Sequence, residues 1–171
     1  MNELWPKDEV AVADEKTTLL AFLGHQRTFL VRKAEGLTDD QARTASCPPS
    51  DLTMLGLIRH ASEVERGWAQ RSLLGLGIGP IYAKDAHPDG DIDGDLHPPA
   101  DATLAEALET FTRETNAADL VFRTADLDNV ERCDRAFYSV RWILIHLIEE
   151  YARHLGHADL IRQAIDGQTG E

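Results

Sequence analysis

One stretch constrains this chain more than any other: His146-Leu-Ile-Glu-Glu150-Tyr-Ala-Arg-His154-Leu-Gly-His157-Ala-Asp-Leu-Ile-Arg162, which contains no proline and one glycine. It reads as a single helix. At ~100° per residue, Ile143, Leu147, Ile161 and Ile165 fall on one stripe facing a core, and Glu150, His154 and His157 fall on the same stripe. A carboxylate and two imidazoles turned toward an apolar interior are costly unless something pairs with them. Glu150 and His154 are one-turn neighbours able to share one ion, and a metal is the simplest compensation.

The rest of the chain predicts a fold to receive that helix. A first helix runs from about Asp14 to Glu35, with Leu19, Phe22, Leu23 and Leu30 at helical spacing and Gly36 where a C-terminal glycine belongs. Thr38-Asp-Asp-Gln41 fits a capping box, and Cys47-Pro-Pro-Ser50 breaks the chain. A second helix carries Leu52, Leu55, Ile58, Val64 and Trp68 and ends near Leu74, where Gly75, Gly77, Gly79 and Pro80 stop it. After a long Asp/Gly/Pro-rich loop from Leu76 to about Pro99, Thr103 opens a third helix through Leu104, Phe111 and Phe122. Residues 126–136 read as a loop, and the fourth helix covers about Tyr138 to Ile165. Strand signals are absent. The expectation is an all-α fold: one domain, residues 1–171, built as an antiparallel-type four-helix bundle.

A metal needs a ligand from a second helix, and His60 is the candidate. It borders the buried face formed by Leu57, Ala61 and Val64. Two histidines and one carboxylate leave coordination positions open for water or substrate. His157 is a fourth ligand or a supporting partner, and His146 a hydrogen-bonding residue around the site. His25 reads as structural or exposed, and His87 and His97 as solvated loop residues. The run Asp89-Gly-Asp91-Ile-Asp93-Gly94 opens like an EF-hand calcium loop, but Ala100 stands where a bidentate glutamate is required. The two cysteines, Cys47 and Cys133, lack zinc-site spacing and read as free thiols.

Charge limits the partners. With 17 basic and 30 acidic residues the net charge is −13. That weighs against nucleic acid and against an anionic membrane surface. The apolar runs are too short to cross a bilayer, and the charged N-terminus lacks a signal-peptide core, so a cytoplasmic location is the expectation. Phosphate-binding loops, a dinucleotide fingerprint, a nucleophile elbow and a His-Glu-x-x-His motif are all missing.

Two segments, Ser50-Asp-Leu-Thr-Met-Leu-Gly-Leu-Ile-Arg-His60-Ala-Ser-Glu-Val-Glu-Arg-Gly-Trp68 and Leu147-Ile-Glu-Glu-Tyr-Ala-Arg-His154-Leu-Gly-His-Ala-Asp-Leu-Ile-Arg162, resemble the DinB-like (YfiT-like) superfamily of metal-binding four-helix bundles. The first helix, Thr18 to Gln41, is also family-like. The likeness is greatest to an actinobacterial branch related to mycothiol-dependent maleylpyruvate isomerase. The resemblance implies a divalent metal, zinc or nickel, on His60, Glu150 and His154. Many members carry His-x-x-x-His in the last helix; here Glu150 takes the first position and makes the site one charge more negative. Where many members carry Gln, this chain has His157.

The leading expectation is a metal-dependent thiol S-transferase or isomerase that joins a mycothiol-type thiol to a small electrophile. A non-catalytic metal-binding or dimerising bundle is one alternative, with Leu144, Ile148, Tyr151 and Leu155 packing on a neighbouring helix or forming a homodimer seam. A metal-dependent hydrolase is the other.

Overall fold

The computed structural model describes residues 8–82, 90–133 and 136–169. A short helix, α1 (Asp8–Ala11), precedes α2 (Glu15–Ala34), and a one-turn α3 (Asp39–Ala42) follows. Next come α4 (Met54–Glu65), which continues as a π-helix over Arg66–Leu73, and α5 (Leu104–Thr124). A hairpin of β1 (Val130–Cys133) and β2 (Ala136–Ser139) leads into α6 (Val140–Asp166). No helix among the described residues is long and apolar enough to cross a membrane.

Each long helix starts on a side-chain cap. Asp14, Thr53, Thr103 and Ser139 accept from the backbone N–H of Thr17, Gly56, Glu106 and Trp142 respectively, satisfying donors that the first turn leaves open. Thr38 and Gln41 form the reciprocal capping box at α3. At the far end of α6, Gly167 takes the left-handed conformation at φ 79°, which closes a helix at little cost only for glycine.

Helix directions follow from contacts at the ends. Glu15 pairs with Arg141 at the starts of α2 and α6, and Lys33 pairs with Asp159 near their ends, so these two helices run parallel. Lys16 donates to the carbonyls of Arg123 and Ala125, setting α5 antiparallel to α2. His60 meets Glu150, and Trp68 meets Trp142, setting α4 antiparallel to α6. The four helices therefore run up-down-down-up. The antiparallel-type bundle thus contains a parallel pair as well: α4 and α5 point the same way, so the end of the π-helix and the start of α5 lie at opposite ends of the bundle.

The core is continuous, with Leu23, Leu30, Leu55, Ile58, Leu144 and Leu147 among its fully buried members. Of the stripe considered as a dimer seam, Leu144 and Tyr151 are buried within the chain itself, and Ile148 and Leu155 pack against its core. Residues 126–136, expected as loop, instead contain β1, which pairs antiparallel with β2 from Val130↔Ser139 to Cys133↔Ala136. Two four-residue strands are too short to display a two-residue alternation. The second helix also departs from expectation, since its α-helical turns stop at Glu65 and widen into the π-helix.

Candidate metal centre

The antiparallel pairing of α4 and α6 brings the three expected ligands together. One donor atom each from His60, Glu150 and His154 lies within 4.8 Å of the others, the one such cluster among the described residues. Glu150 Oε1 is 3.2 Å from Nε2 of His60 and 3.2 Å from Nε2 of His154. The side chains are 20%, 16% and 14% exposed for His60, Glu150 and His154. They border a pocket otherwise lined by Leu30, Leu57, Ala61, Val64 and Tyr151. Three polar groups on an apolar wall are the chemistry of a small-ligand or metal site rather than of a solvated surface.

Partners behind the imidazoles orient them. His60 Nδ1 is 2.7 Å from Oδ2 of Asp95. A carboxylate only accepts, so Nδ1 donates to Asp95, and Nε2 is the ring nitrogen that faces Glu150 and His154. His154 Nδ1 lies 3.4 Å from His157 Nδ1. The Nε2 of His154 is directed at the same point, 3.2 Å from Glu150 Oε1. His157 is thus a partner of a candidate ligand and not a member of the converging set. This back-supported arrangement is what metal-binding histidines require.

The electrostatics agree. Burial lowers the His60 pKa, but hydrogen bonds donated to Asp95 and Glu150 outweigh it and hold the imidazole above its usual value. Burial and the neighbouring His60 push His154 the other way. Burial raises Glu150 and Asp95, yet the imidazoles hold both carboxyls below the ordinary range. The field that favours a proton on His60 also favours a cation between the three donors. The donor set therefore fits a divalent metal on geometry and charge.

Asp95 was missed by sequence reasoning, as was the way the long loop is fastened. On one face of α4, Gly56, Arg59, His60 and Glu63 each hold loop backbone or side chain. Arg59 donates to the Gly94 carbonyl at 3.0 Å and stacks over the Tyr82 ring. Glu63 accepts from the backbone N–H groups of Ile81 and Tyr82. A Cβ at Gly56 would come within 2.3 Å of the Leu96 carbonyl oxygen, so only glycine admits the loop this close. The available signal was the i, i+3, i+4, i+7 spacing of those four residues, a second polar face on a helix already committed to the core.

A buried network under the pocket was also missed. Arg27 from α2 grips Glu65 from α4 through two hydrogen bonds of 2.7 Å and also reaches Asp119 from α5. Tyr151 from α6 donates to Glu65 Oε1 at 2.7 Å. Each of the four helices contributes one residue. Burial, then the Glu65 charge, raises the Tyr151 pKa well above the phenol value, so its hydroxyl stays protonated as a donor.

The remaining candidates lie elsewhere. His146 belongs to an aromatic cluster with Trp68 and Trp142, and its nearest carboxylate contact is Glu149 at 3.7 Å. His25 packs edge-on against Phe29. His97 pairs with Asp91 and Asp51. In the acidic run, Asp91 engages His97 and Asp95 turns to His60, so they do not converge as a calcium cage. His87, Asp89 and the side chain of Cys133 lie outside the described residues. Cys47 is a free cysteine, half-buried, and is not part of the cluster.

The mostly helical bundle is consistent with the all-α fold of DinB-like proteins. Within that class, residues 18–167 match the family model described as Mycothiol-S-transferase, and the chain belongs to that family. A search of curated proteins returned no match.

Proposed function

We propose that His60, Glu150 and His154 hold one divalent cation, zinc or nickel, and that the chain transfers a mycothiol-type thiol to a small electrophile. The observation that carries this reading is the convergence of two imidazole Nε2 atoms and one carboxylate oxygen at the edge of an apolar pocket. The family supports a mycothiol S-transferase activity for it.

A cation at that point lowers the pKa of a thiol that reaches it and so supplies a thiolate near neutral pH. The chain's own residues do the rest. Asp95 and His157 hold the two imidazole rings in orientation. Glu150 adds a negative charge that retains the cation. Leu57, Ala61 and Val64 keep bulk water from one side of the pocket, which strengthens each electrostatic interaction inside it. The sulfur–carbon bond forms as the electrophile's leaving group departs with its electron pair, and the thiol proton passes to solvent. We read residues 1–171 as one domain working in the cytoplasm.

The test is elemental analysis of untagged protein beside His154→Ala, with thiol-dependent turnover measured on both. Near-stoichiometric metal and activity in the parent, both lost in the variant, support the assignment. Full metal occupancy in His154→Ala overturns it. Turnover without added thiol favours a hydrolase, and metal binding with no turnover on any electrophile favours a non-catalytic bundle.

A further inference from the structure

Unlike the imidazoles beside it, each of which turns one nitrogen to the cluster, Glu150 has two chemically equivalent oxygens, and the structure uses them differently. Oε1 lies 3.2 Å from Nε2 of His60 and 3.2 Å from Nε2 of His154. Oε2 lies 3.6 Å from Nη1 of Arg153, an ion pair rather than a hydrogen bond. The carboxylate is thus split between its two neighbours one turn farther along α6. His154 at i+4 shares Oε1, and Arg153 at i+3 takes Oε2.

Arg153 is itself held in place. Its Nη2 donates to Oε1 of Glu149 at 2.7 Å, so one planar guanidinium spans two adjacent carboxylates. The Arg153 side chain is 56% exposed, against 16% for Glu150. An ion pair that exposed adds little to the stability of the fold. What it fixes is which oxygen of a mostly buried carboxylate reaches the donor cluster.

We infer that Arg153 is a positioning residue for the candidate metal centre: it retains Oε2, so that Glu150 offers the cation one oxygen. This deepens the proposed metal site and rests on it. One oxygen from Glu150 and one nitrogen each from His60 and His154 make three donors, and a fourth position stays open for a thiol. Carboxylates bind cations through one oxygen or two. Without Arg153, Oε2 is released to join Oε1 and takes the position that a thiol sulfur needs. Removing Arg153 also removes its repulsion of a cation, so metal affinity by itself does not report the positioning. The number of donors does.

The probe is cobalt(II) added to the full chain, because its visible absorption is strong in four-coordinate surroundings and weak in five- or six-coordinate ones. The parent is compared with Arg153→Met, which keeps the aliphatic stem without the charge, and with Arg153→Lys. Arg153→Met should lose the strong band, and Arg153→Lys, which keeps a cation beside Oε2, should retain it. Mycothiol is then titrated and followed by the sulfur-to-cobalt charge-transfer band. Its Kd should rise about tenfold in Arg153→Met, the lower end of what losing an orienting partner costs, and recover in Arg153→Lys. A cobalt spectrum or a thiol Kd unchanged in Arg153→Met, or altered equally in Arg153→Lys, overturns the positioning role and leaves the metal centre standing. A parent that takes up no cobalt overturns both. A cobalt spectrum that changes as expected, with no sulfur band in any form, upholds Arg153 and overturns the thiol reading alone.

Discussion

Asp95 Oδ2 lies 2.7 Å from His60 Nδ1, joining the long α4–α5 loop to a candidate metal ligand 35 residues earlier in the chain. Asp95 is itself only 6% exposed and is held below the usual carboxylate range chiefly through that imidazole. Loop and site are thus one structural unit. Removing the carboxylate in Asp95→Ala should weaken metal binding by about 10- to 100-fold, as loss of such orienting partners does, while His60 and Glu150 remain in place. Competition against a chelator of known affinity measures this; unchanged affinity would separate the loop from the site.

Gly56 supplies a second test of that unit. A methyl group there meets the Leu96 carbonyl oxygen at 2.3 Å, and backbone cannot swing aside as a flexible side chain does. Gly56→Ala should push the loop off α4, at a cost of about 1–3 kcal/mol. Amide exchange at residues 94–97 should quicken, and metal affinity should fall in the direction seen for Asp95→Ala.

The four-helix network predicts a large stability effect. Glu65 is fully buried, with Arg27 and Tyr151 both bound to it. Glu65→Ala removes both hydrogen bonds that hold the buried Arg27 to α4, leaving it only Asp119, and should cost about 3–5 kcal/mol. Tyr151→Phe removes one hydrogen bond to a charged acceptor and should cost about 1.5–3 kcal/mol. Urea titration of both variants checks the order; a Glu65→Ala loss below that of Tyr151→Phe would contradict the network's role.

Acid should test a further buried carboxylate, Glu114. Burial raises Glu114, but hydrogen bonds from Arg66, Gln70 and Arg113 bring it below the ordinary glutamate range. A folded-state pKa below the unfolded one gives stability that is fully present above the unfolded value and disappears as pH falls through the folded value. The stability gap between the parent and Glu114→Gln should therefore be widest near neutrality and close below about pH 4. Denaturant titrations at several pH values read it directly, and a gap that widened in acid would reverse the assignment.

Much of this protein was written locally. Helical periodicity marks the four long helices, the caps at Asp14, Thr103 and Gly167 mark their ends, and the shared stripe of Glu150 and His154 marks a candidate site before any fold is known. His60 was legible for the same reason, as a polar residue at the border of an apolar helix face. These signals act over a turn or two, where spacing alone determines direction. The up-down-down-up order, the seating of Asp95 on His60, the Arg27–Glu65–Tyr151 network and the Trp68–Trp142 ring group were decided only by tertiary packing. Their members lie on different elements, as with Glu65 and Tyr151 at a separation of 86 residues. No periodicity links such positions; they meet because burying the apolar faces of four helices leaves one arrangement in which each buried charge also finds its partner.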